Sequence, residues 1–465
     1  MFREPQDGII GDKSALGVNS AGSPQKPLIE ANCSYAISGF KGINVAPGEC
    51  KAQLYPESIR IAPPFGEMIQ IPFRWIRACY SENYRLKLAL HTGEAIEISA
   101  LGRSHDDFYR NAVRLRNELI LKDMLMDEKE MGMRARALCA IKGSDGAMTL
   151  QGECELRLYE TALVVMPDAG TPFRFRYSEI ASVSQSGYSL EVVMEGGERL
   201  SLKQMGRLHE PFARGLASAI SDLQGKVLGL ISGLFPSADA ASLSALARLM
   251  REGRAAKMSD IISISPQLWA QLEMNIERVG ISEEYEFLKS IAREGKICIG
   301  VKEGLARDRD GGEIDLWFLA PVYGSPAIGG NAIVMEASSP EGSGRATYLF
   351  RMVPRSEYPK MGTAMLDAAC DRAIDAVNKA MIDTNFRREP IYLPDKRLYE
   401  PAYQKYLYAA KSLSPLKSLR AAFIGRVLHI NPEQWRSDVK SLLLFNTSTT
   451  NDNDVWNRSV GEKGD

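Results

Sequence analysis

The sequence predicts an α+β fold: a strand-rich module ending in one helix, duplicated in tandem, then a helical connector and a C-terminal α+β domain. Three observations predict it. An internal repeat runs without a gap at an offset of 104 residues, the hydrophobic period switches from 2 to 3.6 at the end of each copy, and glycine-rich turns separate four further strand-like segments. The 465 residues carry 57 Lys+Arg against 58 Asp+Glu, a formal net charge of −1, with 45 % apolar and 25 % charged residues. That balance excludes a chain that coats nucleic acid through overall charge and leaves only local basic patches open. No apolar run approaches the roughly 20 residues a membrane-spanning helix needs. Met1 to Lys26 is polar and Gly/Ser-rich without an apolar core, so no secretory signal and a cytoplasmic location are expected.

Residues 48–119 align on 152–223. Gly48-Glu49-Cys50 matches Gly152-Glu153-Cys154, Leu54-Tyr55 matches Leu158-Tyr159, and Gly93-Glu94 matches Gly197-Glu198. Each copy ends on Gly-Arg-x-His: Gly102, Arg103 and His105 against Gly206, Arg207 and His209. Phe108, Arg110 and Leu119 follow, against Phe212, Arg214 and Leu223. The 18 identities in 72 positions compare with about four or five for unrelated sequences of ordinary composition. The segment is a duplication.

In the first copy Cys50–Tyr55, Ser58–Ala62, Met68–Pro72, Ile76–Tyr80, Tyr84–Leu90 and Ala95–Ala100 read as strands. Pro63-Pro64, Ser81-Glu82-Asn83 and Thr92-Gly93-Glu94 punctuate them as turns. Tyr84–Leu90 places apolar residues at every second position, as a half-buried antiparallel strand does. Beyond Gly102 the period is helical: Phe108, Ala112, Leu115 and Leu119 share a face. Ser104 or His105 caps this helix, and Asp106 and Asp107 suit its positive first turn. The second copy repeats these events in Glu155–Tyr159, Ala162–Met166, Phe173–Tyr177, Ile180–Ser184, Ser189–Glu195 and Arg199–Lys203. A helix from Glu210 to Leu228 follows, with Pro211 in its first turn.

Short antiparallel strands ended by one amphipathic helix, in each copy, resemble the pleckstrin-homology-like (PH/GRAM) superfold over residues 40–230. The layout is similar to that of uncharacterised bacterial proteins with tandem PH-like domains and, more distantly, to the double PH-like modules of histone chaperones. The resemblance implies two tandem PH-like β-barrels, each closed by its C-terminal helix, and a role in binding. Neither copy carries the Lys-x-Lys/Arg signature of a phosphoinositide loop in its first hairpin. Ser58–Phe65 and Ala162–Gly170 are short and nearly uncharged, which argues against lipid headgroups.

Further along, Leu243, Leu246 and Met250 face away from Arg248 and Arg251, and Ser265-Pro266 opens a helix through Trp269, Leu272 and Ile276. Ile297–Val301, Glu313–Val322, Asn331–Ala337 and Ala346–Val353 read as strands, and Thr363–Ile382 as an amphipathic helix. The expected organisation is a flexible N-terminal segment (1–40), two PH-like domains (41–128 and 140–232) and a helical connector (237–293). An α+β domain (295–385), a basic and aromatic helical extension (386–445) and a disordered tail (446–465) complete it.

Seven cysteines lie far apart with no C-x-x-C spacing, so neither a zinc ribbon nor a redox pair is indicated, and free buried thiols are expected. His91, His105, His209 and His429 are too scattered for a helix-borne metal site. No metal and no cofactor are expected. Gly8–Ser14 lacks phosphate-loop spacing, and Gly324–Gly330 lacks that of a dinucleotide site. Two sets of candidate binding residues remain. Arg103, His105 and Arg110, with Arg207, His209 and Arg214, form the one polar motif kept in both copies, and their chemistry suits an anion or an acidic peptide. The same residues also suit a strand-to-helix turn, glycine bending the chain and polar side chains capping the helix; that structural role is the stronger expectation. Lys396, Arg397, Lys405 and Lys411 belong to 386–426, where nine cations stand against three acids among five tyrosines. Cations beside stackable rings suit an acidic membrane surface or single-stranded nucleic acid; otherwise the tyrosines pack on the third domain.

The function expected is that of a non-catalytic scaffold or adaptor recognising a protein partner or an acidic surface. A protein partner ranks first, an anionic membrane second and nucleic acid last. One alternative is an enzyme with a site in 295–385 built on Asp308, Asp310, Glu313 and Asp315; the other is a histone- or nucleic-acid-binding module.

Overall fold

Alternation of inward and outward side chains builds the first sheet. In β1 (Ile29–Ser38) Ala31, Cys33 and Tyr35 are buried while their neighbours face outward. β2 (Gly48–Leu54), β3 (Ser58–Ala62), β4 (Ile69–Pro72), β5 (Ile76–Glu82), β6 (Arg85–Leu90) and β7 (Ala95–Ser99) complete seven antiparallel strands in the order β4-β3-β2-β1-β7-β6-β5. The helix that follows, α1 (His105–Leu125), sends Phe108, Ala112, Val113 and Leu119 into one core with Leu54, Ile59, Phe73, Leu88 and Ile98. The computed structural model describes residues 26–39, 47–126, 128–303, 314–324, 329–337, 346–454 and 456.

The second sheet contains β8 (Glu130–Lys142), β9 (Met148–Tyr159), β10 (Ala162–Pro167), β11 (Phe173–Arg176), β12 (Ile180–Ser186), β13 (Ser189–Met194) and β14 (Arg199–Lys203). Its order is β11-β10-β9-β8-β14-β13-β12, and α2 (His209–Leu234) follows. Its ladders are those of the first sheet moved along by 104 residues: Cys33↔Cys50 becomes Ala137↔Cys154, and Leu86↔Ile98 becomes Leu190↔Leu202. The irregularity between Ile76 and Ala78 recurs between Ile180 and Ser182.

Three expectations for this region need correction. The segment 1–40 was expected to be flexible, yet β1 lies in the middle of the sheet, and β8 likewise. The gapless match extends upstream to cover them, with Ala31/Ala135, Ala36/Ala140 and Ile37/Ile141 identical. The sheets are open rather than closed barrels, because each ends on two edge strands, β4 and β5 or β11 and β12, that no ladder joins among the described residues. Cys139 and Cys154 are disulfide-bonded, not free. Strand register brings them together, which spacing along the chain does not disclose.

Contacts divide the chain into two units: 1–221 with 394–411, and 222–393 with 412–465. In the second, β15 (Ala256–Lys257), β16 (Cys298–Glu303), β17 (Ile314–Val322), β18 (Ala332–Ala337), β19 (Ala346–Arg351) and β20 (Phe423–Leu428) form an antiparallel meander in sequence order. The region expected to be a connector supplies α3 (Ala240–Leu249), α4 (Met258–Ile264), α5 (Pro266–Arg278) and α6 (Ser282–Ile291). Their Leu246, Ile261, Trp269, Leu272 and Leu288 share a core with Ile299, Leu316, Phe318 and Val334 of the sheet. α7 (Thr363–Asp383) and α8 (Glu389–Tyr392) precede α9 (Leu407–Ser412) and α10 (Ser414–Ala422); α11 (Pro432–Ser448) ends the series of eleven α-helices among the described residues. Every residue of β18 is buried, as expected for a strand covered on both faces. Asn378 of α7 receives the amide of Ala255 and donates to its carbonyl, at 2.8 and 3.1 Å.

The extension and the tail also differ from expectation. The extension contains β20 as well as helices, and its residues 394–411 belong to the first unit. The expected disordered tail begins inside α11, where Asn446 is fully buried and donates to Gly330 and Asn331 carbonyls. Arg355 then holds 451–454 through the carbonyls of Asn451 and Asp454 and the carboxylate of Asp452. Hydrogen bonding to one buried arginine orders residues whose composition alone suggests disorder.

Phe108 and Phe212 occupy equivalent, fully buried positions. Replacement of either by Ala is expected to cost about 3–5 kcal/mol. Hydrogen exchange followed by mass spectrometry is the check. Phe108→Ala is expected to speed exchange by about a hundredfold or more in β1–β7, and Phe212→Ala in β8–β14.

Candidate functional site

The duplicated motif is a turn. Gly102 and Gly206 take φ of +56° and +57°, a left-handed conformation that glycine adopts without strain. Each opens a short 3-10 turn that leads directly into α1 or α2. His105 and His209, the first helical residues, are both buried, and Tyr84 and Tyr188 meet their rings edge-on at 5.6 and 6.1 Å. His105 is further held by Asp106 at 2.9 Å and Ser81 at 3.1 Å. Arg103, Arg110, Arg207 and Arg214 are exposed. Imidazoles turned inward and guanidiniums turned outward do not form one anion site. Of the six residues, only Arg110 enters the groove described next.

That groove, of about 870 Å³, lies between the two repeats. One wall is a stripe of α1 at helical spacing: Asp106, Arg110, Arg114 and Glu118, with Tyr109 and Val113 beside them. The facing wall follows the two-residue period of β9, through Glu153, Glu155 and Arg157, with Arg136 of β8 and Met166 and Pro167 of β10. Arg157, nearly buried, donates to both oxygens of Glu118 at 2.5 and 2.9 Å and to Glu155 at 2.6 Å. Burial works against its charge, but the bonds to Glu118 and Glu155 outweigh it and raise its pKa; the Arg157 bond in turn holds Glu118 below the usual carboxylate range. Arg136 reaches Glu153 at 3.1 Å and Asp168 at 2.8 Å, and Asn117 donates to the Gly170 carbonyl at 3.1 Å. Four arginines and five acids line the groove; Arg136 and Arg157 pair with four of those acids, while Arg110 and Arg114 are exposed on α1.

The second candidate set packs against the first unit. Tyr399 meets Trp75 edge-on at 5.5 Å, and Tyr408 packs beside Leu121, Met124, Tyr159 and Met166. Lys411 pairs with Asp395 at 2.5 Å. Arg397 lies 3.5 Å from Glu400 and 4.7 Å from the Tyr403 ring, and Lys405 lies 5.0 Å from the Tyr406 ring. Lys396 is exposed. Tyr399 and Tyr408 therefore pack on the duplicated region, whereas Tyr392 stacks on Tyr348 of β19 at 6.0 Å.

Of the acidic set, Asp308, Asp310 and Glu313 lie outside the described residues, as do Gly8–Ser14. Asp315 sits on β17 opposite Lys302. Among the described residues no three His, Cys, Asp or Glu side chains form a group suited to a metal ion, and no helix is long and apolar enough to cross a membrane.

The second unit holds a buried polar cluster that sequence reading missed. His429 places Nδ1 3.2 Å from Glu284 and Nε2 3.1 Å from Glu336, and its ring stacks on Trp435 at 5.1 Å. Thr347 lies 3.2 Å from His429 Nε2, donates to Glu336 at 2.5 Å and accepts from Trp435 at 2.7 Å. Hydroxyl, imidazole and carboxylate thus stand in the order of a nucleophile relay. Thr347, however, is fully buried, and two carboxylates flank the imidazole. Burial lowers its pKa, but the bonds to Glu284 and Glu336 outweigh this and raise it to about 9. The cluster has the geometry of an internal ion pair.

No family model and no curated protein matches the sequence. Among solved structures the chain is similar to the C-terminal domain of an unknown protein from Leishmania infantum, at 17 % identity over 22 % of this chain and 96 % of that one, with a TM-score of 0.18. It is also similar to the Spt16D Pob3N heterodimer, at 13 % identity over 36 % of this chain and 84 % of that one, with a TM-score of 0.14. Likenesses of this size carry no conclusion about activity.

The raised pKa of His429 gives stability that is present in full below about 6.5 and is lost as pH rises through about 9. The second unit is therefore expected to lose stability between about pH 6.5 and pH 9, measured by hydrogen exchange in β18–β20. His429→Gln should flatten that slope; an equal slope in the variant would assign it to other groups.

Proposed function

We propose that the chain is a non-catalytic scaffold or adaptor. Its duplicated region is read as two tandem PH-like modules, each an antiparallel sheet with its helix packed on one face, which hold a protein partner in the groove between them. The observation that carries this reading is the groove itself: neither repeat forms it alone, since α1 supplies one wall and β9–β10 the other. Its lining of apolar Val113, Met166 and Pro167 beside charged side chains suits a polypeptide segment carrying both acidic and basic side chains. An acidic surface as partner has less support, because Arg397, Lys405 and Lys411 are engaged by neighbours of the same chain.

The test is quantitative affinity purification with the wild type and with Arg110→Glu combined with Arg114→Glu, two exposed positions whose reversal leaves the core intact. A groove partner is expected to drop out of the variant's set, and its affinity in direct titration to fall tenfold or more, about 1.4 kcal/mol. Identical sets at equal abundance would remove the groove as the binding site. Retention on phosphatidylserine vesicles, abolished by alanine at Lys396, Arg397, Lys405 and Lys411, would favour the acidic-surface reading instead.

A further inference from the structure

A second cysteine pair stands in the first repeat. The β1–β2 ladder sets Cys33 directly opposite Cys50, and the two sulfurs lie 3.3 Å apart. A disulfide needs about 2.05 Å, so closure requires a movement of little more than about 1 Å, within reach of side-chain rotation. Both thiols line a pocket of about 670 Å³ with Asn32, Ser34, Lys51 and Pro63. The duplication supplies an independent comparison. Cys154 occupies the position of Cys50 in the second repeat; its partner Cys139 lies two residues along β8 from the position opposite, on the same face, and that pair is bonded. Both hairpins thus carry a cross-strand cysteine pair, one closed and one open.

We propose that Cys33 and Cys50 form a dithiol–disulfide site, oxidised by a small-molecule disulfide that enters the pocket. One thiolate attacks a sulfur of the incoming disulfide, forming a mixed disulfide and releasing one small thiolate. The second cysteine, deprotonated, attacks the protein-bound sulfur and releases the other. The protein loses two electrons and two protons, and one small disulfide becomes two thiols. Burial pushes both thiols up, Cys50 to about 12, with Cys33 adding to that rise. The thiolate fraction at neutral pH is therefore small and the exchange slow, quickening about tenfold per pH unit while the thiolate remains the minor form. The site stands independently of the groove and of the function proposed for it.

The experiment uses the full chain, stripped of reductant and incubated with oxidised glutathione at about pH 7 and about pH 9, on either side of an ordinary thiol pKa. Free thiols are then alkylated in denaturant and the chain mapped by unreduced peptide mass spectrometry. A Cys33–Cys50 linked peptide is expected, forming faster at the higher pH, with two of the five free thiols lost and Cys79, Cys298 and Cys370 still alkylated. Cys33→Ser, or Cys33→Ala should the serine variant fold poorly, is expected to leave Cys50 carrying one glutathione that no longer resolves. Complete alkylation of Cys33 and Cys50 after treatment at both pH values would overturn the proposal. So would wild-type chain in which Cys50 retains glutathione instead of pairing with Cys33.

Discussion

The first unit depends on one helix that has to satisfy two neighbours. Twelve of the 21 residues of α1 are buried, more than the single apolar stripe of a helix lying on one sheet. One side packs on its own sheet, while Leu121, Met124 and Leu125 meet Tyr159, Val164 and Met166 of the second repeat. Polar groups trapped by this double burial need partners, since an unpaired buried charge is costly. Arg116 gives its guanidinium to the carbonyls of Ile76 and Arg77, at the irregularity between β5 and β6 where the ladder leaves backbone groups free. Asp123 takes two bonds from Arg74, at 2.7 and 2.9 Å. The counterparts in α2 are Ile220 and Val227, so the two helices, copies by descent, have diverged where only one of them lies between two repeats.

The same asymmetry makes the groove. The stripe Asp106, Arg110, Arg114 and Glu118 is matched in α2 by Glu210, Arg214, Ser218 and Asp222, so three of its four charges keep their sign and only Arg114 is lost. What α2 lacks is a third copy downstream to present a facing wall. The charged stripe is therefore common to both helices, and its position between two repeats turns one instance of it into the side of a groove.

Much of the fold was legible because register obeys the same offset as the identities. The strands from Ser58 to Lys203 stand out through alternation and turn residues, and both closing helices through the change of period. β1 and β8 did not, because their matched residues are small or common and the dense identities begin only at Gly48. β20 was hidden among cations and tyrosines that suggested a helical face. The groove could not be read in advance: Arg157 and Glu118 are 39 residues apart, and each alone is an ordinary surface charge. The cysteine pairs were hidden for the same reason, since 17 residues separate Cys33 from Cys50 along the chain while the ladder sets them opposite. The Gly-Arg-x-His motif was visible in both copies; the structure places it at a turn that seats a buried histidine, with no side-chain cap bond from Ser104.

The return of residues 394–411 to the first unit bears on how the chain is made. During synthesis both sheets of the first unit have emerged by Ser221, yet Tyr399 and Tyr408, which cover Trp75 and the Met124–Met166 cluster, leave the ribosome far later. The intervening stretch of roughly 190 residues takes roughly 10–40 s at ordinary elongation rates. Throughout that interval an apolar face stands uncovered while the rest of the chain is still being made, a window in which a chaperone would find its substrate. A fragment cut after the second repeat would keep that face bare indefinitely.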